Sequence, residues 1–167
     1  RIASLINRRE ANGQKTVLSL ASGRTMRDLF VELVRLHKEE GLSFKNVIVF
    51  GSYEFYPLAD SSLGSMAQIQ SQLLDHIDIL PENVHAFPGD LPKENIYTFC
   101  EEYEKAIVEA GGIDIQVLGI GQYGNIAVNE PGTQPNSSTR LVIMDGNSRM
   151  DAKSLFGHAT QVPTCAI

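Results

Sequence analysis

Ser22-Gly23-Arg24-Thr25 brings together two hydroxyls, a guanidinium and a flexible glycine, residue types that suit the binding of a phosphate. The apolar run from Lys15 to Leu20 precedes it and a helical pattern follows, so it sits where a strand hands over to a helix. Free amide N–H groups and the helix dipole favour an anion at such a place, and the hydroxyls add donors. The same residues also read as an ordinary helix start, with Thr25 and Asp28 as a capping box, and local evidence leaves both open. Gly119-x-Gly121-x-x-Gly124, after apolar Ile113 to Leu118, is a second place where backbone amides come close to a ligand. Its spacing matches a dinucleotide fingerprint, with Asp145 near the distance at which an acid holds a ribose. That fingerprint needs a helix opening at the third glycine, and Pro131, Gly132 and Pro135 argue against one. Arg149, in Asn147-Ser148-Arg149, offers a planar fork to an anion or is a solvated surface residue. His37, His76 and His85 lie in or beside regular elements and read as structural; His158 is nearer the same loops but has no evident partner.

These residues need a frame to position them. Strands are predicted at Lys15 to Leu20, Asn46 to Phe50, Val84 to Phe87, Ile113 to Leu118 and Arg140 to Met144. Helices are predicted from Met26 to about Glu40, from Leu63 to Ile77 and from Lys93 to Ala110, with Gly41 and Gly111-Gly112 as stops. Continuous apolar strands alternating with amphipathic helices predict an α/β fold: a three-layer α/β/α, Rossmann-like domain with a mainly parallel sheet. Ligands bind such sheets beyond the carboxyl ends of the strands, where the loops 21–25, 51–60, 119–132 and 145–149 fall. There is no internal repeat or low-complexity run, and 167 residues with 43% hydrophobic content suit one domain spanning 1–167.

The formal net charge is −6, with Lys and Arg scattered, which argues against a nucleic-acid partner. No stretch is long and apolar enough to suggest a membrane partner, and no signal peptide is visible. Cys100 and Cys165 lie far apart without metal-ligand spacing, so reduced thiols, a cytoplasmic location and no metal are expected. The chain begins with Arg1, not Met, from which a fragment or a processed product is expected.

Leu118-Gly-Ile-Gly-Gln-Tyr-Gly-Asn-Ile-Ala-Val-Asn-Glu-Pro131 resembles the signature L-G-[IV]-G-x-D-G-H-I-[AG]-F-N-E-P of the glucosamine-6-phosphate deaminase/isomerase family. Phosphogluconolactonases share the first half of that signature but not its Asn-Glu-Pro ending. The resemblance continues in Ser19-Leu-Ala-Ser-Gly-Arg-Thr25, Leu42 to Phe50, Asp75 to Asn83, Asn147-Ser-Arg149 and Gln161-Val-Pro-Thr164, and so covers nearly the whole chain. It implies a cytoplasmic carbohydrate-metabolism domain that takes a small sugar phosphate, without metal or organic cofactor. The family opens the sugar ring with a histidine and moves a proton between C1 and C2 with an aspartate. Glucosamine 6-phosphate becomes fructose 6-phosphate and ammonia. By resemblance Ser22, Gly23 and Thr25 fall on phosphate-contacting positions, with Arg24 a departure that adds a cation, and Arg149 falls on a phosphate-clamping arginine. A further family lysine would follow the last residue here, so a shortened, incomplete pocket is expected.

The resemblance fails at the catalytic positions. Tyr53 stands for the family's aspartate base, Tyr123 for the aspartate of its Asp-Gly-His segment and Asn125 for the histidine; Glu130 alone is retained. At pH 7 roughly one tyrosine in a thousand is ionised, and an amide has no useful proton equilibrium. Loss of one general acid or base costs about 10²- to 10⁴-fold in rate. Glu54 is adjacent to Tyr53, but alternate residues of an extended chain face opposite ways, and Glu130 serves equally to hydrogen-bond its own turn. Three readings follow. The first is a phosphosugar-binding domain with lost or much reduced activity, as a homo-oligomer or beside a further domain; the second is an active isomerase/deaminase; the third is a structural domain with a vestigial pocket.

Overall fold

The computed structural model describes residues 1–167, apart from the side chain of residue 159. Its helices are α1 (Ile2–Ala11), α2 (Arg27–Glu40), α3 (Ser65–Gln72), α4 (Ile96–Glu109) and α5 (Gly146–Phe156). Its strands are β1 (Thr16–Leu20), β2 (Val47–Gly51), β3 (Phe55–Tyr56), β4 (Val84–His85), β5 (Ile115–Val117), β6 (Val142–Ile143) and β7 (Cys165–Ala166). Every residue of β1 and β2 is buried, as runs of Val, Leu, Ile and Phe allow only where both faces of a sheet are covered. They pair in parallel from Thr16 opposite Val47 to Leu20 opposite Gly51, with β5 and β4 added in parallel outside them in the order β4-β2-β1-β5.

Side chains alternate across this sheet, and the two faces meet different helices. Leu18, Leu20, Val47 and Val49 pack with Ile6 of α1, Phe30 and Leu33 of α2 and Ile69 of α3. Val17, Ile48 and Phe50 pack with Ile96, Cys100 and Tyr103 of α4. Phe50 stacks on His85 at 4.4 Å and meets Tyr103 edge-on at 5.4 Å, while the Tyr103 hydroxyl donates to the Gly51 carbonyl at 2.8 Å. Burying each large apolar side chain in these layers contributes about 1.5–3 kcal/mol. The chain thus has the expected three-layer α/β/α form with a mainly parallel sheet.

Several local readings differ. Only Val142 and Ile143 of the Arg140–Met144 run form a strand, and β6 lies in a separate antiparallel sheet, β3-β7-β6, outside the parallel one. The strands of that sheet are two residues each, too short to show a period of two. The Leu63–Ile77 helix stops at Gln72, where Leu73 leaves helical angles and a 3₁₀ turn, Leu74–His76, follows. Thr25 forms no capping box: among the described residues no side chain caps the 3₁₀ turn Arg24–Met26 or α2, and Gly23 instead turns the chain at φ 118°. Helix α2 does end at Gly41 in the left-handed region, φ 73°, as its glycine suggests. No helix among the described residues is long and apolar enough to cross a membrane.

Candidate active site

Residues that leave the carboxyl ends of neighbouring strands in a parallel sheet emerge on one rim. Ser22 follows β1 and Tyr53 follows β2, and their hydroxyl oxygens lie 2.9 Å apart. Ser22 is buried, while the half-buried Tyr53 packs edge-on against Phe55 at 5.7 Å. Burial raises the Tyr53 pKa, the hydrogen bond to Ser22 only partly offsets this, and the phenol is neutral at pH 7. Gly119 follows β5, and a β-carbon there would meet Thr25 Oγ1 at 3.6 Å, so the two loops singled out from sequence are neighbours. Between them and α5 is a cleft of about 230 Å³ lined by Gly23, Arg24, Tyr53, Asn125, Ser148 and Asp151 among others.

The 119–129 loop is a compact turn and not a helix start. The Gly121 amide donates to the Asn125 carbonyl at 2.8 Å and the Gly124 amide to the Gly121 carbonyl at 3.0 Å. At Gly121 a β-carbon would displace the Asn125 side-chain amide from its place, and Gly124 turns at φ 84°. Ala127 adopts φ 51°, a conformation that costs a non-glycine residue of order 1–3 kcal/mol and that clusters at ligand sites. Asn125 Nδ2 donates to the Ala127 carbonyl at 3.0 Å, which leaves Asn125 Oδ1 buried without a partner among the described residues. Tyr123 is 48% exposed and outside the cleft lining.

Asp145 does not reach for a ribose: its carboxylate accepts the amides of Asn147 and Ser148 at 2.8 Å each and caps α5. Glu130 supports the same helix end, Oε1 accepting the Asp145 amide at 3.1 Å and Oε2 the Ser148 hydroxyl at 3.0 Å. Arg149 is turned away from the cleft. Its guanidinium donates to the Val162 carbonyl at 3.1 Å, its Nε is buried without a partner among the described residues, and it lines a neighbouring cavity with Asp60, Leu63 and Thr160. Glu54 points to the amino end of α3.

The histidines also have local roles. His37 contacts the Leu42 carbonyl, His76 the Ser71 carbonyl and exposed His158 the Thr160 hydroxyl. No group of three His, Cys, Asp or Glu side chains among the described residues could hold a metal ion. Burial raises the Cys100 pKa and keeps its thiol protonated.

Of the residues selected from sequence, Gly23, Arg24, Tyr53 and Asn125 line one cleft, Ser22 is bonded to Tyr53, Thr25 adjoins Gly119 and Glu130 acts through Ser148. Asp151, a carboxylate at the cleft, and Gln68 of α3 escaped sequence reading. Asp151 is carried by α5, whose sequence signal was the Asp145 cap followed by the sparse apolar positions Met150 and Phe156. Asp151 accepts a hydrogen bond from Gln122 at 2.6 Å, which ties α5 to the glycine loop.

Comparison with known proteins identifies the source of this arrangement. Residues 1–154 match the sequence model of the glucosamine-6-phosphate isomerases/6-phosphogluconolactonase family. A glucosamine-6-phosphate deaminase-like protein of Bacteroides thetaiotaomicron is 45% identical over 99% of this chain, which covers 25% of that protein. A glucosamine-6-phosphate deaminase of Bacillus pumilus is 40% identical over 99% of this chain and 68% of its own length. The solved structure of a monomeric glucosamine-6-phosphate deaminase superposes with a TM-score of 0.90 at 30% identity, over 99% of this chain and 66% of that one. The chain therefore spans a quarter of the Bacteroides relative's length and about two thirds of the others'. On this match, the chain belongs to the glucosamine-6-phosphate isomerase/6-phosphogluconolactonase family.

Proposed function

We propose that the chain is a deaminase-like domain that binds a sugar phosphate and converts glucosamine 6-phosphate poorly or not at all. The observation that carries this reading is the group at position 53 together with the engagement of the Glu54 and Glu130 carboxylates. Glu54 is spent on three backbone amides and Glu130 on Asp145 and Ser148, while the position beside Ser22 holds a neutral phenol. Proton transfer between C1 and C2 needs a base within hydrogen-bond reach of the substrate, and ring opening needs a group that exchanges protons near neutrality. Tyr53 and Asn125 supply neither.

Anion binding is supported by the Ser22–Thr25 loop. Among the described residues the Gly23, Arg24 and Thr25 amides have no carbonyl partner, the 3₁₀ turn continues into α2, and Arg24 lines the cleft. Arg149 is the second cation of the proposed site, exchanging the Val162 carbonyl for phosphate oxygen when the ligand is present. The reading is tested by a coupled assay of ammonia release from glucosamine 6-phosphate on the full native polypeptide, beside calorimetric titration with the same compound. Binding with background turnover is the expected result; turnover on the order of 1–10³ per second would overturn it.

One observation favours the second reading, an active isomerase/deaminase. Asp151 is an exposed carboxylate on the cleft wall and is its candidate base. If turnover is found, Asp151→Asn abolishes it on that reading.

A further inference from the structure

We propose that Tyr53 is an anion-positioning residue: its hydroxyl donates to Ser22 Oγ and so turns the Ser22 proton outward, toward a phosphate group on the Ser22–Thr25 loop. This rests on the anion-binding reading above and assigns the substituted position a role of its own. Two hydroxyls 2.9 Å apart share one proton along their contact, and which one donates decides what the other has left. A phenol is a far stronger acid than an alcohol, so Tyr53 is the better donor and Ser22 the better acceptor. With its lone pair engaged, Ser22 keeps its own proton for an anion, and a chain of hydrogen bonds polarises each member in the same sense.

The surroundings favour this direction. Ser19 and Ser52 are paired with each other at 3.0 Å, and neither competes for Ser22. The Ser65 hydroxyl, buried without another partner among the described residues, lies beside Tyr53 as a donor to it and leaves the phenol proton for Ser22. The Tyr53 ring is fixed edge-on to Phe55 and packs between the core under the sheet and the one under β3 and α5. The Ser22 hydroxyl thus joins the unpartnered amides of Gly23, Arg24 and Thr25 in one donor set. A carboxylate at position 53 does the reverse: it accepts the Ser22 proton and places a negative charge beside the incoming anion. Exchange of a carboxylate for a phenol therefore removes a base and adds a donor. A cleft so altered recognises the phosphate end of its ligand more strongly than the carbons at which a base would act.

Calorimetric titration of the whole chain with inorganic phosphate at pH 7.5 tests the idea in wild type, Tyr53→Phe, Ser22→Ala and the double variant. Tyr53→Phe is expected to weaken phosphate binding about three- to tenfold, the range of one hydrogen bond. Ser22→Ala is expected to weaken it at least as much, and the double variant no more than Ser22→Ala alone, because Tyr53 acts through Ser22. A merely structural tyrosine would give losses that add. Additive losses overturn the inference, as does Tyr53→Phe binding like wild type while Ser22→Ala is weak; both leave anion binding itself standing. Failure of wild type to bind phosphate removes the anion-binding reading and this inference together, whereas equal binding by all four proteins removes this inference alone. Should Tyr53→Phe fail to fold, the ultraviolet difference spectrum of wild type on adding phosphate replaces it. A tyrosine band present in wild type and lost in Ser22→Ala supports the relay, and its absence from wild type overturns it.

Discussion

Glu54 is 3% exposed and accepts three backbone amides, from Phe55 at 2.9 Å, Ser65 at 2.7 Å and Met66 at 3.0 Å. Two of these open α3, so a side chain distant in sequence does the work of an N-cap. Gly64 makes the approach feasible, since a β-carbon there would come within 2.8 Å of the carboxylate. Desolvation raises the Glu54 pKa, and the amide bonds only partly offset it. A carboxyl raised on folding binds more protons in the native than in the unfolded state across that window. Its contribution is complete below the unfolded value near 4.5 and is lost as pH rises through the folded one. Urea unfolding of wild type and Glu54→Gln over a pH series measures this directly: the stability of wild type relative to the variant falls as pH rises above about 4.5. A difference independent of pH would show that Glu54 titrates as it does in the unfolded chain. Glu54→Ala, which orphans buried amides, is expected to cost about 1–3 kcal/mol. Glu54 thus serves to hold α3 in place, which is why its nearness to Tyr53 in sequence says little about catalysis.

At the scale of elements, α5 decides where two site residues lie, and Asp145 decides where α5 begins. Asp145→Ala removes an acceptor for two amides and is expected to destabilise the protein by about 0.5–2 kcal/mol. Because Ser148 and Asp151 ride on this helix, anion binding in the cleft should weaken as well, and thermal unfolding together with phosphate titration checks both. Loss of stability with unchanged binding would show that α5 does not shape the ligand site. The same helix marks the limit of what the sequence conveys. Strands β1 and β2 were legible because unbroken Val, Ile, Leu and Phe runs leave no other placement, and α2 and α4 because their apolar residues repeat every three or four positions. Helix α5 buries only Ser148 and Phe156, and α1 only Ile2 and Ile6, so neither carries a continuous apolar stripe to read. The loops gathered on one rim because parallel strands order them there. The direction of Arg149 could not be read, since it depends on a carbonyl thirteen residues away that only tertiary packing brings near.

Across the whole molecule, cohesion is unequal between the two sheets. In the parallel sheet β1 and β2 share a five-residue register with every residue buried, and Asp114 locks the sheet's edge to α1 by accepting the Val17 amide and pairing with Arg9. In the second sheet each strand has two residues, β6 is half-buried at one and exposed at the other, and Ile143 is 79% exposed. Between them the segment 119–141 has Val128 as its one buried residue and holds its shape by short-range turns. Local opening costs least where few apolar contacts break, so amide exchange should separate these parts. Amides of β1 and β2 are expected to exchange only through global unfolding, with free energies in the 5–15 kcal/mol range of a stable domain. Amides in 119–141 and in β6 and β7 should exchange through smaller openings, with a shallower dependence on denaturant because less surface is exposed. The connection that resists this is the packing of Tyr56 of β3 and Ile167, next to β7, with Val17, Ile48 and Phe50 of the parallel sheet. If β6 and β7 amides prove as slow as those of β1, that shared packing joins both sheets into one cooperative unit. The cleft would then lie within a single rigid body. The unequal cohesion favours the other outcome, in which the wall built from 119–141 and α5 opens while the Ser22–Thr25 loop stays fixed on β1, and a ligand enters by displacing that wall.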